Sequence, residues 1–513
     1  MKRNGTKFSS LASRGLPVEE VTATLEHHDI DPEVFKKEAH VAADWIADYL
    51  EHMGRYPVLA ITKPGEVKSQ LPKSPPSNPE PLHGIIGDFQ NIILPGITHW
   101  NHPRFFAYFS TSSPYAGIVG EMLCSALNVN AMLWRTSPSA TELEEVATDW
   151  LRQMIGLPPE FEGAINDTAS VGSLCAMAAA REYAGLSIRE KGLTGRPELP
   201  KLRIYTSEEA HSSIEKAAIV LGIGQEGLRK ISTDEKFSMD PQVLERAIKE
   251  DLNVGIKPIC IVPTIGTTST TSIDPVKEIS QLSQKYGTWL HVDAAYGGAA
   301  ATVEEKRNLF AGWEKADSIV VNPHKWLFTT LDCSVLYCRH PEVLRQAFSL
   351  TPEYLRTAEA STAKNLMDYG VSLGRRFRAL KLWMIIRSLG TDGIANTIRE
   401  QMSYAQRLGE SIRQNPNFEL IAPIPFSTVV FRFNPPSLKK PDKQNDVNAL
   451  NERLLDSVNR TGQIFFSHTK LRGKYCLRLT IGNIKTTWDD VKLAWDIIQQ
   501  KAEELGVYEK AGV

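Results

Sequence analysis

Three apolar runs in this chain end abruptly in residues that can do chemistry. "ICIVPTIGTTST" leads to Thr264 and Thr267, "WLHVDAAYGG" to Asp293, and "SIVVNPHKW" to Lys325, flanked by His324 and Trp326. Ile319, Val320 and Val321 show no polar alternation and are β-branched, the pattern of a strand buried on both faces. Pro323 has no N–H to give a ladder, so the chain leaves the sheet there and Lys325 falls just beyond the strand's carboxyl end. In open parallel sheets that edge is where ligands bind. Most lysines are simply solvated, but Asp293 changes the balance, because a carboxylate after "WLHV" needs a cation or hydrogen-bond donors if it is buried. Lys325 can provide the cation as a salt bridge between adjacent strands. Alternatively the two residues act separately on a third body, the lysine as nucleophile and the carboxylate as charge partner.

Pyridoxal phosphate is a third body that uses both. A lysine binds its aldehyde covalently, and an acidic residue keeps its pyridine nitrogen protonated so that the ring can accept electrons. Its phosphate needs a cradle, and Thr168-Ala169-Ser170 stand before the alanine-rich helix of "AINDTASVGSLCAMAAAREYA", where free N–H groups and the helix dipole attract an anion. The same residues read in isolation are an ordinary N-cap. His211 follows the strand-like "RIYTS" and offers a flat ring that can stack on a pyridine. The 12 histidines show no metal-ligand spacing, so no metal site is expected. "GIGQEG" (Gly222, Gly224, Gly227) matches the letters of a dinucleotide fingerprint, but it follows a helical stretch and precedes a strand, the reverse of what that site needs.

The elements that must position these residues are legible around them. Between about 163 and 340, short apolar strands alternate with helical stretches, which means an α/β domain with a mostly parallel sheet. After about Gly390 the pattern changes to a long helix, "TVVFRF" (428–433), a helix near 445–460, "KYCLRLTIG" (474–482) and a closing helix, a smaller α+β unit. From Asp31 an apolar stripe at helical spacing predicts an amphipathic helix, and the proline-rich 63–82 an extended connector. "TSPSATELEEVATDWL" carries a capping-box pattern, Thr141 with Glu144. The chain of 513 residues has 58 Lys+Arg against 60 Asp+Glu, a formal charge of −2 that gives no bulk attraction to nucleic acid or anionic membrane. Six scattered cysteines without a C-x-x-C pair read as reduced core thiols, and no secretory leader or membrane span is seen, so a cytoplasmic setting is expected.

Taken together, "NPHKW", "HVDAAYGG", "EEAHSS" and "TIGTTSTTSIDP" resemble the group II pyridoxal-phosphate-dependent amino-acid decarboxylases, and most of all the aromatic-L-amino-acid decarboxylases. The similarity runs from about Phe35 to the last helix through "THWNHPRFFAYF", "SPSATELEEVATDWL", "TPEYLRT" and "LGRRFRALKLW". It implies a type I (aspartate aminotransferase-like) fold: an N-terminal helical segment swapped onto a second subunit (1–105), a large cofactor domain (106–392) and a small C-terminal domain (393–513), in a homodimer with shared active sites. It also implies roles. Lys325 is the attachment lysine, Asp293 the pyridinium partner, His211 the stacking ring and Ala295 the residue beneath it; Thr264 lies near the cofactor, and Ala169, Ser170, Asn322 and His324 are on the phosphate side. Tyr354 in "TPEYLRT" is the proton donor on a mobile loop, and relatives with phenylalanine there make aldehydes oxidatively. Trp100, Tyr108, Phe109, Thr111, Gly374 and Arg478 shape the substrate site. Glycine at 374 leaves room for indole, so tryptophan or 5-hydroxytryptophan comes first, then dopa, tyrosine or phenylalanine.

The alternatives are a decarboxylase of histidine or glutamate, or an aromatic aldehyde synthase. A non-catalytic scaffold or a nicotinamide oxidoreductase would leave the strand ends unexplained. The chain departs from the family pattern at Ser110, where proline is usual, at Asn130 and Met132, where bulkier apolar residues are expected, and in "TASVGS", which lacks an acidic residue after Ser170.

Overall fold

The side chain of Asp31 starts the first helix by accepting the N–H groups of Glu33 and Val34, with Pro32 in the first turn, where a missing N–H is tolerated. The structure, a computed structural model, describes residues 29–350, 363–439 and 441–510. The chain forms two compact units divided between His99 and Trp100. In the first, the helix Pro32–Glu51 presents Trp45 edge-on to Phe89, and the Tyr49 hydroxyl meets His99 Nδ1 at 2.7 Å. The proline-rich connector is not wholly extended. Gly65 takes a positive φ, and Glu66 accepts the Lys63 N–H, which closes a short helix, Glu66–Gln70, inside it.

The second unit is built on a seven-stranded sheet. Its strands are β1 (Glu162–Asn166), β2 (Leu202–Ser207), β3 (Leu228–Ile231), β4 (Lys257–Val262), β5 (Trp289–Asp293), β6 (Ser318–Val321) and β7 (Ser334–Cys338), in the spatial order β1-β7-β6-β5-β4-β2-β3. From β6 to β3 every pairing is parallel; β7 runs antiparallel to both of its neighbours. The expected mostly parallel sheet is present, with "ICIV", "WLHV" and "SIVV" as its adjacent central strands. Alternation within them feeds two cores. Leu290, Val292, Ile319 and Val321 pack on one side, and Trp289, Cys260 and Val262 on the other, under the helix Ala169–Tyr183. Small residues let that helix lie close: a Cβ on Gly172 would stand 3.0 Å from Val320 Cγ2.

A second, antiparallel sheet, order β10-β11-β9-β8, contains β8 (Phe418–Leu420), β9 (Thr428–Phe433), β10 (Ser467–Leu471) and β11 (Lys474–Thr480). The helices Gln444–Asn459 and Trp488–Lys510 cover it over a core that includes Leu450, Phe431, Leu477 and Ile498. The long helix expected after Gly390 is present and ends at Gln414; another helix runs into it from Ala379, and the two meet at a kink at Gly390, whose φ of 68° and ψ of 161° are not helical. All six cysteines are buried and unpaired.

The capping box expected at Thr141 and Glu144 does not form. The helix begins one turn earlier, at Pro138, so Thr141 lies inside it and bonds back to the Ser137 carbonyl. Glu144 is buried and is used across the fold instead: it accepts the Ile165 N–H of β1 and pairs with buried Arg375. Removing one member of a buried pair strands the other charge. E144A is therefore expected to lower stability by about 3 kcal/mol, read as a lower urea midpoint, with part of the loss recovered in E144L/R375M. An unchanged midpoint in E144A would contradict this.

Candidate active site

The order β6, β5, β4 sets three strand ends side by side. Thr264 bridges in parallel to Asp293, and Asp293 lies in register with Val320. Beyond β6, the Asn322 N–H donates to the Ala295 carbonyl at 3.1 Å and the Lys325 N–H to the Asn322 carbonyl at 3.0 Å, a tight turn that keeps Lys325 at the edge of the sheet. A cavity of about 210 Å³ opens there, and Lys325, Asp293, His211, Thr264, Ala295 and the start of the helix at Ala169 all line it. Ser170, Asn322 and His324 complete the wall.

Lys325 and Asp293 share this chamber without joining in a hydrogen bond or salt bridge among the described residues. The strand-to-strand pair that the sequence allowed is absent. Burial lowers the Lys325 pKa; the Asp293 charge raises it by less, and Arg478 lowers it further. Asp293 is 5% exposed, and its Oδ1 accepts the Ala295 N–H at 3.1 Å.

The two histidines are held in one tautomer by main-chain donors. At the start of the helix Ser212–Val220, His211 Nδ1 accepts the Ser213 N–H at 3.2 Å and sits 2.8 Å from the Ser213 hydroxyl. An amide can only donate, so this nitrogen is bare and the ring proton is on Nε2. Burial lowers the His211 pKa, which keeps the ring neutral. His324 Nδ1 likewise accepts the Cys333 N–H at 2.9 Å, and burial pushes this pKa down to about 3.

The helix Ala169–Tyr183 begins at Thr168, whose extended backbone places no side-chain cap on the first turn. The Ala169 and Ser170 N–H groups at its start have no intrahelical acceptor, whereas the Thr168 N–H is taken up by Asp167 Oδ1 at 2.7 Å and the Val171 N–H by the Thr168 carbonyl at 3.2 Å; Thr168, Ala169 and Ser170 line the chamber. Thr264 Oγ1 and Asn322 Oδ1 are buried without a hydrogen-bond partner among the described residues. An uncapped helix start, two unsatisfied polar groups, a buried carboxylate and a buried amine are what a flat, phosphate-bearing aldehyde requires, and pyridoxal phosphate fits this donor set.

A second chamber of about 330 Å³ shares Lys325, Phe109 and His211 with the first. Trp100 and Tyr108, stacked at 5.7 Å, and Arg478 also line it. Arg478 is buried; its Nε donates to the Thr268 and Ser269 carbonyls and its Nη1 to the Tyr108 carbonyl. Burial pushes its guanidinium down to about 10. Thr111 and Gly374 line neither chamber. Gly374 is exposed beside Asn130, whose Nδ2 is 3.9 Å from where a Cβ would stand, so nothing in this chain sets a steric limit on the substrate there. Tyr354 lies outside the described residues.

Sequence reasoning passed over Tyr296 and the wall formed by β10. The Tyr296 ring is stacked between Phe109, at 3.9 Å, and Trp326, at 4.8 Å. This accounts for Trp326, which also donates its Nε1–H to Gln401 at 2.6 Å. "DAAYGG" held the signal for Tyr296; Ser467, His468 and Thr469 carry no motif and reach the site only through sheet pairing. "GIGQEG" is a turn between a helix and β3, with Gly222 and Gly224 at positive φ, in agreement with its rejection as a dinucleotide site.

Residues 64–434 match the family described as pyridoxal-dependent decarboxylase conserved domain. The chain is 38% identical to a phenylacetaldehyde synthase of Rosa hybrid cultivar, over 95% of this chain and 97% of that one. It is 40% identical to a tryptophan decarboxylase of Camptotheca acuminata, over 93% and 96%. Among solved structures, Catharanthus roseus tryptophan decarboxylase in complex with L-tryptophan superposes with a TM-score of 0.86 at 37% identity, covering 93% of this chain and 99% of that one.

His324 and the fully buried His291 give the fold a pH dependence. The ring of His291 is held by Ser318 at 2.9 Å and Ser173 at 3.0 Å, and burial pushes its pKa down to about 4. Both groups bind protons more readily unfolded, near pH 6.5, than folded. Their contribution is therefore complete above about pH 6.5 and is lost as the pH falls toward the folded values. Urea unfolding between pH 4.5 and 7.5 is expected to show stability falling with acid, with a shallower slope in H291N. An identical slope in the variant would contradict the assignment.

Proposed function

The chain belongs to the pyridoxal-dependent decarboxylase family, and on that premise we propose that it decarboxylates an aromatic L-amino acid to the amine and carbon dioxide. Tryptophan or 5-hydroxytryptophan comes first, then dopa, tyrosine or phenylalanine. The observation that supports an aromatic substrate is the second chamber, where the stacked Trp100 and Tyr108 stand with Phe109 in the same space as Lys325. Flat apolar walls favour a ring over the carboxylate of a glutamate side chain.

Bound pyridoxal phosphate supplies an aldehyde carbon and a protonated ring that takes up the electrons left when the carboxylate departs. The chain's own groups set up that chemistry. Lys325 is the covalent attachment point first and a proton carrier second, and its lowered pKa makes the amine a better nucleophile. Asp293 keeps a proton on the pyridine nitrogen. The neutral ring of His211 and Ala295 would flank the cofactor's ring, and Ala169, Ser170, Asn322 and His324 would hold its phosphate. Tyr354 delivers the proton to the substrate's α-carbon, and Arg478 closes the substrate wall.

A homodimer is the assembly that suits the surface. On the helix Tyr115–Leu127, Gly117, Gly120 and Cys124 face inward, while Tyr115, Val119, Met122, Leu123 and Leu127 are each more than 40% exposed. An apolar stripe of that size calls for a partner, and a second copy of this chain is the partner expected for a shared active site. The second sheet's separate core supports a small C-terminal domain beginning near 392, although Ile394, Ile398, Met402 and Phe426 pack into the first core, and the N-terminal unit ends at His99, short of 105. Six buried thiols support a reducing, cytoplasmic setting.

An aldehyde synthase is the second reading, favoured by the rose relative; tyrosine at 354 and histidine at 211 favour the decarboxylase. Incubation with tryptophan, dopa, phenylalanine, histidine and glutamate separates them. Amine and carbon dioxide in equal amounts from an aromatic substrate are expected, and hydrogen peroxide matching substrate consumption would establish the aldehyde synthase instead. K325A is expected to lose the yellow chromophore and the activity together; a variant that stays yellow and active would remove Lys325 from its role.

A further inference from the structure

We propose that the hydrogen-bonded hydroxyls of Ser269 and Thr469 position Arg478, the guanidinium in the wall of the second chamber; this deepens the decarboxylase reading above and rests on it. β10 and β11 turn one face toward the domain of the first sheet. On that face Val430, Leu471 and Cys476 pack with Phe237. Further along it Ser467, Thr469 and Arg478 line the chamber, with Ser467 paired to Arg478 and Thr469 to Cys476. The loop that meets them, 266–272, has a stiff base. Thr267, Thr270 and Ser272 are buried, their hydroxyls run in a chain with steps of 3.0 and 2.7 Å, and Ser272 Oγ donates to the Lys236 carbonyl at 2.7 Å.

The tip of that loop, Thr268 and Ser269, is held differently. Among the described residues its hydrogen bonds go only to β10 and β11. The Thr268 and Ser269 carbonyls accept Arg478 Nε at 3.1 and 3.2 Å, and Ser269 Oγ accepts the Thr469 hydroxyl at 2.9 Å. The hydroxyl pair is therefore the one anchor of the tip that does not pass through Arg478 itself. At the other corner of the planar fork, Nη1 donates to the Tyr108 carbonyl at 2.6 Å, and Tyr108 is tied to β10 by its N–H to Ser467 Oγ at 3.4 Å. Nη2 is buried with no partner among the described residues, so nothing else there fixes the plane of the group. Without the Ser269–Thr469 bond the tip would be held by the guanidinium alone, and the acceptors that orient Nε would move with it.

The test is the steady-state kinetics of wild-type, S269A, T469V, T469S and S269A/T469V holoenzyme with whichever of tyrosine, tryptophan and phenylalanine the wild type turns over fastest. S269A and T469V are each expected to raise KM about fivefold, the loss of one neutral hydrogen bond, with kcat kept within about twofold. The double variant should be no worse than either single one, because each already breaks the same bond. T469S keeps the hydroxyl and should return KM to near the wild-type value. A KM within about twofold of wild type in either S269A or T469V, no recovery in T469S, or losses that multiply in the double variant overturn the inference and leave the proposed function standing. Wild-type enzyme that releases carbon dioxide from none of the three overturns the proposed function, and this inference with it.

Discussion

The structure depends on keeping a lysine amine and a carboxylate in one buried chamber without letting them neutralise each other. Isolated charges in the interior are expensive, and a direct pair would be the simplest relief. Backbone geometry withholds it. Asp293 is locked into the ladder on both sides, by the bridge to Thr264 and by its register with Val320, and it spends one oxygen on the Ala295 N–H. Lys325 is set by a turn that begins after the sheet has ended. What remains is an amine and an acid aimed at a common space, with an uncapped helix start across from them, and a cofactor with an aldehyde, a basic ring nitrogen and a phosphate satisfies all three.

Much of the surrounding fold serves to hold those positions. Phe109, Tyr296 and Trp326 stack one on another, and the Tyr296 hydroxyl bonds Ser427 at 2.5 Å. Trp326 is tied through Gln401 to the Asn483 carbonyl, so the turn carrying Lys325 is braced against the long helix and the second sheet. The Phe109 ring has Lys325 Nζ 4.9 Å from its centre and the Arg478 guanidinium at 4.7 Å. One aromatic ring thus stands within cation–π reach of two buried basic side chains. Burial keeps the His211 and His324 rings neutral, and main-chain donors give each a single tautomer, so neither adds charge to the chamber.

The sequence was most informative where chemistry and periodicity coincide. The runs "ICIV", "WLHV" and "SIVV" carry both the strand pattern and the residues that follow it, so the central sheet and the cluster of Lys325, Asp293 and Thr264 could be placed together. His211 and the Thr168-Ala169-Ser170 start could be placed because strand-to-helix turns have their own signature. It was least informative where a residue's partner is remote. Glu144 sits in a capping-box pattern and is used 231 residues away by Arg375. Ser467, His468 and Thr469 reach the site through pairing between β10 and β11, and nothing in "FFSHTKL" marks that. Gly374 is a position whose meaning came from resemblance alone, and within one chain it touches no chamber.

The central claim is that Lys325 is covalently joined to the cofactor. Borohydride reduction of the cofactor-loaded protein, followed by proteolysis and peptide mass mapping, tests it directly. The pyridoxyl-phosphate mass is expected on Lys325 alone. Its appearance on another lysine, with Lys325 unmodified, would contradict the assignment and return Lys325 to a structural role beside Asp293.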